Sequence, residues 1–255
     1  MRAAAARFIV AVGSGKGGVG KTTVALQLAF ALRRRGLAVG LLDADLYGPD
    51  IPLMLNLKRE VPAQRWDFWR GGDVRFEPLE QDGLQLMSVG FLLGERQALT
   101  LAAPLLGAAL RQLVDRVEWR SLDVLLIDLP PGTADLQQQL LAEVGLAGAL
   151  VVVGPQDVAH LDARKFIDFL RAANVRVLGG IENMRGLSCP HCGELIELFP
   201  VVADTRSIWS DGVPQLGSVA LAPALASAPG TPAQQQAFDG IAAELVERLE
   251  HPAAA

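Results

Sequence analysis

Cysteine, histidine and aromatic residues are scarce in this chain. Its 255 residues include two cysteines, three histidines and one tyrosine, and aromatic residues make up only 5%. Two cysteines in a chain of this length cannot form the disulfide framework that stabilises small secreted domains. The fold must therefore rest on an ordinary hydrophobic core. The hydrophobic residues, 51% of the chain, are rich in Ala, Leu and Val, as is typical of a parallel sheet covered on both faces.

Long apolar runs and an excess of positive charge are also missing. The longest apolar stretch, residues 98–110, contains Pro104 and Gly107 and is too short to cross a bilayer. The apolar run after Arg7 leads straight into a glycine-rich loop, so we expect no secretory signal. A formal net charge of −5 provides no general attraction for DNA or RNA. We therefore expect a cytoplasmic protein that binds neither nucleic acid nor membrane.

What the sequence does contain is a phosphate-binding loop. Residues 15–22, GKGGVGKT, fit the pattern G-x-x-x-x-G-K-[ST] between an apolar run, residues 8–12, and an amphipathic segment, residues 23–35. In such a loop, backbone N–H groups and a helix N-terminus surround a polyphosphate. The final lysine contacts the β- and γ-phosphates, and the hydroxyl after it binds Mg²⁺. The residues expected to bind ATP are Gly15, Lys16, Gly17, Gly18, Val19, Gly20, Lys21, Thr22 and Thr23.

A second lysine, Lys16, stands early in the loop, where an ordinary phosphate loop needs none. With it, the run KGGVGKTT resembles the deviant phosphate loop of the MinD, ParA and nitrogenase iron-protein ATPases. In that group the early lysine reaches the nucleotide of a second subunit. The resemblance implies that Lys16 acts across a homodimer, beside Lys21, and that ATP hydrolysis is coupled to assembly.

Acidic residues follow two apolar strands. Residues 38–42 lead into Asp43 and Asp45, and residues 122–127 lead into Asp128. Open α/β sheets bind ligands at the carboxyl ends of their strands, and alternation places Asp43 and Asp45 on the same side. We expect Asp45 to position the attacking water, Asp43 to act in the outer shell of Mg²⁺, and Asp128 to hold Mg²⁺ through water. Ordinary turn chemistry is the alternative for the first two acids.

Three other features are less specific. Asn183 follows a strand at residues 175–181, where it would either contact the adenine edge or serve as a plain turn asparagine. His160 lies at the start of a helix over residues 158–172 and is expected at the surface. Residues 59–82 are rich in tryptophan, which suits a recognition surface as well as local packing.

Cys189 and Cys192 form a CxxC motif in a glycine-bounded loop. A thioredoxin-type redox pair would lie at a helix N-terminus, which this loop does not favour. Zinc sites and cubane iron–sulfur clusters each need four ligands, whereas the motif supplies two thiolates with His191 between them. A two-fold axis would double two cysteines to four, in keeping with the dimer that Lys16 suggests. The sequence therefore leaves three interpretations of the motif open: a bridging cluster, a zinc site, or two unliganded cysteines.

Motifs from end to end resemble those of the Mrp/ApbC-type iron–sulfur cluster carrier ATPases. They include DADLYGPDIPLML, SVGFLL, LLIDLPPGTAD, PQDVAHLDARKFIDF, VLGGIENM and CPHCGE. The resemblance implies a three-layer α/β P-loop NTPase of MinD-like type, with a mostly parallel sheet and helices on both faces. It implies one domain over residues 1–255, with the CxxC loop inserted around residues 186–195.

The same resemblance implies a function. An ATP-hydrolysing homodimer would carry a [4Fe-4S] cluster on Cys189 and Cys192 and pass it to apo iron–sulfur proteins. Mg²⁺ would be held at Asp128, and Asn183 would lie near the base.

The chain departs from this family at two places. LAAP at residues 101–104 replaces a Trp-Arg-Gly-Pro stretch, and FPVVA at residues 199–203 replaces a glycine-rich segment. Many relatives also carry an extra N-terminal domain, for which we expect no room here.

Two other functions compete with cluster carriage. A MinD- or ParA-like positioning ATPase would need a membrane-binding tail or a basic DNA surface. Residues 238–250 hold four acidic residues and one arginine, so we expect their apolar stripe to pack on the sheet instead. The second alternative is a zinc-binding scaffold that uses the CxxC motif.

Overall fold

The computed structural model describes residues 6–45, 48–57, 75–92, 112–130, 137, 141, 144–189, 191–192, 194–221 and 231–251. Most of the tryptophan-rich segment and the stretch at residues 101–104 lie outside these ranges. The helix and strand bounds below refer to the described residues.

Nine strands of the described part form one sheet. They are β1 (Ala6–Gly13), β2 (Val39–Asp43), β3 (Leu79–Gln81), β4 (Leu84–Ser88), β5 (Leu122–Asp128), β6 (Gly148–Val153), β7 (Val177–Ser188), β8 (Leu195–Ile196) and β9 (Gln215–Leu221). Their order is β3-β4-β2-β5-β1-β6-β7-β8, and β9 also pairs with β7. The pairings are parallel except those of β3 with β4 and of β7 with β8. The predicted mostly parallel sheet is confirmed.

Helices cover both faces of this sheet. They are α1 (Lys21–Arg34), α2 (Ile51–Met54), α3 (Asp157–Ala172) and α4 (Pro232–Glu250), and residues 112–116 are also helical. Side chains of β1 alternate between the faces: Val10 and Val12 join the core cluster of α1 and α4, whereas Ala11 joins that of α3. The result is the three-layer α/β arrangement predicted from the sequence.

The C-terminal helix α4 packs as expected. Its stripe Ile241, Leu245 and Leu249 is at most 6% exposed and belongs to the core cluster shared with α1. A capping box starts the helix, because Thr231 N–H donates to Gln234 Oε1 at 2.8 Å and Gln234 N–H donates back to the Thr231 hydroxyl. No helix in the described ranges has the length and apolar character needed to cross a membrane.

Two predictions around α3 and β7 were wrong. His160 is fully buried, because the segment after β8 folds over it and Ile208 N–H donates to its Nδ1 at 3.2 Å. Strand β7 runs on to Ser188 rather than ending near residue 181, so Asn183 lies within the strand.

Candidate nucleotide and cysteine sites

The phosphate loop lies at the centre of the sheet. It follows β1, which is flanked by β5 and β6, and it leads directly into α1. Gly18 and Gly20 both have φ of 78°, a left-handed conformation that residues with a Cβ rarely adopt. The glycines therefore let the backbone turn at the carboxyl ends of parallel strands, where open α/β sheets bind ligands.

A cavity of about 490 Å³ opens above this loop. That volume lies in the usual range of small-molecule sites, roughly 300–1,000 Å³. Its described lining is formed by Ser14, Lys16, Gly17, Gly18, Gly20, Lys21, Thr22, Thr23, Asp45, Asp50, Leu53 and Met54. The loop, the start of α1 and the last two residues of α2 thus surround one space.

Two predicted ATP-binding residues, Gly15 and Val19, pack against the protein interior and do not line the cavity. A Cβ on Gly15 would lie 2.1 Å from the backbone oxygen of Asp162, so only glycine allows the loop to approach α3 this closely. Val19 is 5% exposed and belongs to the core cluster of α1. Both residues shape the loop through packing.

Lys21 and Asp128 meet at the floor of the site. The Lys21 ammonium donates to Asp128 Oδ1 at 2.6 Å and lies 3.4 Å from the Thr22 hydroxyl. Burial raises the pKa of Asp128, and the charge and hydrogen bond of Lys21 oppose that rise. Asp128 Oδ2 is buried and has no hydrogen-bond partner. An unsatisfied carboxylate oxygen near a hydroxyl is a donor set that suits Mg²⁺.

Asp43 lies beside Asp128 because β2 and β5 are adjacent parallel strands in which these two residues are in register. Asp43 is fully buried and accepts hydrogen bonds from the Ser88 hydroxyl at 2.9 Å and from Ile51 N–H at 3.3 Å. Burial, together with the nearby Asp128 charge, raises the pKa of Asp43 to about 8. A cation in this position would favour the ionised forms of both carboxyl groups.

Asp45 lines the cavity, as its proposed role near the γ-phosphate requires. It is 8% exposed, and its Oδ1 accepts a hydrogen bond from Gly48 N–H at 3.2 Å. Its own N–H donates to Asp43 Oδ1 at 3.2 Å. The two acids predicted from one strand end therefore have different environments: Asp43 lies in the protein interior, and Asp45 borders the ligand space.

Asn183 contacts the phosphate loop itself. Its Nδ2 donates to the Val19 carbonyl at 2.9 Å, and its Oδ1 is buried without a hydrogen-bond partner. Asn183 is not among the described residues that line the cavity. Its contact with adenine stays a prediction, and its loop contact was not foreseen.

The cysteines lie in a hairpin, residues 187–196, that joins β7 to β8. Cys189 is half-buried and Cys192 is exposed, and neither is in a disulfide. Cys189 N–H donates to the Glu194 carbonyl at 2.8 Å, which closes the turn. The motif is thus in a strand-to-strand turn, not at the helix N-terminus that a thioredoxin-type pair requires. In the part of the chain that the structure describes, no three His, Cys, Asp or Glu residues form a metal-binding group.

Sequence reasoning missed two contributors to the nucleotide site. Ser88, at the end of β4, is in register with Asp43 and donates to it. Leu53 and Met54 of α2 border the cavity. The position of Ser88 at a strand end was a usable signal, whereas the approach of α2 had none in the sequence.

Comparison with known proteins agrees with this geometry. Residues 5–250 match the ParA family model described as the NUBPL iron-transfer P-loop NTPase. The iron-sulfur cluster carrier protein of Pseudomonas fragi is 42% identical over 218 residues, covering 84% of this chain and 73% of that protein. A mitochondrial protein of Arabidopsis thaliana is named as an iron-sulfur protein required for NADH dehydrogenase. It is 35% identical over 254 residues, covering 95% of this chain and 79% of that protein.

Solved structures show the same fold. A nucleotide-binding protein of Archaeoglobus fulgidus, solved with ADP, superposes with a TM-score of 0.71 at 32% identity, over 94% of this chain and 88% of that one. The cell division ATPase MinD of Pyrococcus furiosus gives a TM-score of 0.70 over 94% of this chain and 99% of that one. Its sequence identity of 23% supports the fold alone. The phosphate loop, the strand-end acids and these matches together show that the chain belongs to the family of NUBPL iron-transfer P-loop NTPases.

Proposed function

We propose that this protein is an ATP-hydrolysing iron–sulfur cluster carrier. It assembles a cluster across a homodimer and transfers it to apo-proteins. The observation that carries the proposal is the position of half-buried Cys189 and exposed Cys192 in the turn directly after the strand that contacts the phosphate loop. Relatives named for iron–sulfur cluster carriage support it.

The nucleotide half of the proposal uses the cavity above the loop. Gly15, Lys16, Gly17, Gly18, Val19, Gly20, Lys21, Thr22 and Thr23 form the ATP site, with Asn183 near the base. Thr22, Asp43 and Asp128 hold Mg²⁺ directly or through water, which neutralises phosphate charge. Lys21 contacts the phosphates, and Asp45 orients the attacking water. Its place on the cavity wall supports that role.

The cluster is cargo, and its site is shared between two chains. One chain supplies two thiolates, a [4Fe-4S] cluster takes four, and a two-fold axis provides the rest. Lys16 borders the cavity and is half-buried. In the proposed dimer it reaches the nucleotide of the second subunit. The same axis would thus pair the cysteines and exchange the lysines.

Exposed apolar residues beside the cysteines support a shared interface. Leu195, Ile196, Leu198, Phe199 and Val201 are between 38% and 74% exposed. Apolar patches of this kind are typical of surfaces that become buried on association. FPVVA, one of the two departures from the family pattern, contributes to this patch and keeps it apolar.

Anaerobic reconstitution with iron and sulfide tests the proposal. We expect about four irons per dimer, because a cubane takes four thiolates. Cys189→Ser and Cys192→Ser should each lose the cluster, since a dimer then offers only two thiolates. His191→Ala is the matched control and should keep it.

Other outcomes would contradict the proposal. A Cys189→Ser variant that keeps its full iron content would rule out a cluster bridged by the cysteines. A protein that stays strictly monomeric in the presence of MgATP and iron would rule out a site shared between two chains. Stoichiometric zinc with no nucleotide binding would indicate a zinc scaffold. Nucleotide-dependent sedimentation with liposomes or DNA would indicate a positioning ATPase.

A further inference from the structure

Strand β7 connects the phosphate loop with the cysteine hairpin. Within it, Asn183 donates a 2.9 Å hydrogen bond to the Val19 carbonyl of the loop. The strand continues to Ser188, and Cys189 follows directly. A displacement of the loop backbone therefore acts on the strand that leads directly into the cysteine hairpin.

This strand contains a bulge between those two points. Its pairing with β9 joins Asn183 to Val219 and next joins Leu187 to Leu221, so residues 184–186 lie opposite the single residue Ala220. Met184 has φ of 62°, which is uncommon for a residue with a Cβ. Such conformations persist where the surrounding structure holds them.

Arg185 lies in the bulge and binds on both sides of it. Its Nη1 donates to Glu182 Oε2 at 3.1 Å, and its Nη2 donates to Glu197 Oε1 at 3.5 Å. Glu182 precedes the bulge, and Glu197 follows β8 on the far side of the hairpin. The planar guanidinium, with its several N–H groups, can satisfy two carboxylates at once, which an ammonium cannot do in the same geometry.

Glu182 is the fixed end of this bridge. It is 3% exposed, it accepts a hydrogen bond from the Ser218 hydroxyl at 3.2 Å, and His160 Nε2 lies 3.9 Å from its Oε1. Burial favours a higher pKa for Glu182, but the neighbouring His160, the hydrogen bonds of Arg185 and Ser218, and the Arg185 charge outweigh burial and lower the pKa. Glu197 is about half exposed, so it forms the adjustable end.

We propose that Arg185 is a positioning residue for the cysteines. By bridging Glu182 and Glu197, it holds the cysteine hairpin against the strand that contacts the phosphate loop. Nucleotide binding at the loop thereby changes how rigidly the cysteine hairpin is held. That the cysteines carry a cluster rests on the proposed function, whereas the positioning role can be measured without one.

Hydrogen exchange of the 255-residue chain, with and without MgADP, tests this role. In wild type, hairpin amides such as Cys189 N–H should change protection when MgADP binds. Arg185→Ala should speed their exchange about tenfold, the effect of losing a charge-assisted contact. It should also abolish their response to MgADP while α1 still responds. Arg164→Ala is the matched control. It removes the Arg164–Asp211 ion pair, which is about as exposed as the Arg185 contacts but joins α3 to the segment at residue 211, and it should leave hairpin exchange unchanged.

Two further variants separate positioning from folding. Glu197→Gln keeps the buried Arg185–Glu182 contact and should reproduce most of the loss of MgADP response. Arg185→Lys should restore part of the protection, because one ammonium can still reach one carboxylate.

Three results would overturn the proposal. They are unchanged hairpin exchange in Arg185→Ala, an equal effect of Arg164→Ala, and a wild-type hairpin that does not respond to MgADP. Iron loading of wild type, measured in parallel, reports on the proposed function separately, since a protein that binds no iron can still show the exchange pattern.

Discussion

Lys21 and Asp128 form a buried ion pair. The Lys21 ammonium lies 2.6 Å from Asp128 Oδ1, and the two side chains are 7% and 0% exposed. Lys21 begins α1 and Asp128 ends β5, so the fold brings together residues that are 107 positions apart. Breaking such a pair leaves an uncompensated charge in the interior, which costs more than the pair itself contributes.

The first prediction concerns this pair. Lys21→Ala should lower the free energy of unfolding of the ligand-free protein by about 3 kcal/mol, because it leaves Asp128 buried and unpaired. Adding Asp128→Asn should recover much of that loss, since the remaining charge is removed. Urea denaturation gives both values. Lys165→Ala, which removes an exposed pair with Asp162, is the control and should change stability by less than about 1 kcal/mol. Additive effects of the two buried substitutions would contradict the pairing.

The second prediction separates the two loop lysines. Lys21→Ala should abolish nucleotide binding, whereas Lys16→Ala should bind ATP almost normally and lose turnover by about 1,000-fold, as for a charge supplied in trans. Phosphate release and equilibrium binding measure the two effects.

Mixing the two inactive lysine variants gives a sharper test. A mixed dimer has one complete site, in which the Lys16→Ala chain receives Lys16 from its partner. Activity should return to about a quarter of the wild-type value, because half of randomly formed dimers are mixed and one of their two sites is complete. No recovery in dimers shown to exchange subunits would exclude action across the interface.

The third prediction concerns pH. The pKa of Asp43 is about 8 in the folded protein against an ordinary 3.8, so the folded state retains a proton that the unfolded chain releases. The resulting stability is fully present below about pH 4 and is lost progressively as pH rises to about 8. Asp43→Asn should flatten this slope and stabilise the ligand-free protein at pH 8 by at least about 1 kcal/mol, since each pKa unit corresponds to about 1.4 kcal/mol. Urea midpoints from pH 5 to pH 8 test it, with Asp123→Asn as control; an unchanged slope would contradict it.

The fourth prediction uses two glycines with nearly the same backbone angle. Gly20 has φ of 78° and Gly36 has φ of 85°, but a Cβ on Gly20 would lie 2.3 Å from Asn183 Nδ2, whereas one on Gly36 meets nothing within 4 Å. Gly36→Ala should cost about 1 kcal/mol through backbone strain alone. Gly20→Ala should cost more and weaken ADP binding, because Asn183 must move away from the loop. Equal stability losses and intact ADP affinity would show that this contact does not matter.

Much of the nucleotide site was predictable because its signals are local. A glycine-rich run between a strand and a helix defines the phosphate loop, and acids after apolar strands mark the carboxyl ends of the strands, where the ligand binds. The parallel register then places Asp43 beside Asp128. The roles of Lys16, Asp45 and Cys189 stay predictions, because each depends on a ligand or a second chain.

Other features could not be predicted, since they depend on contacts between distant segments. His160 looks like a surface residue on its helix, yet the segment around Ile208 covers it. Strand β7 extends past Asn183 because β9 continues to pair with it and β8 returns along its end. Local patterns carry no information about either contact.

The sequence by itself determined the α/β fold class, the phosphate loop and the presence of two thiols, because periodicity, glycine placement and side-chain chemistry act within a few residues. Only the tertiary structure decided that Lys21 pairs with Asp128, that Asn183 contacts the loop, and that Arg185 spans the bulge beside the cysteines. Those relationships arise from packing between elements, where burial and charge compensation select one arrangement among many that the same local patterns allow.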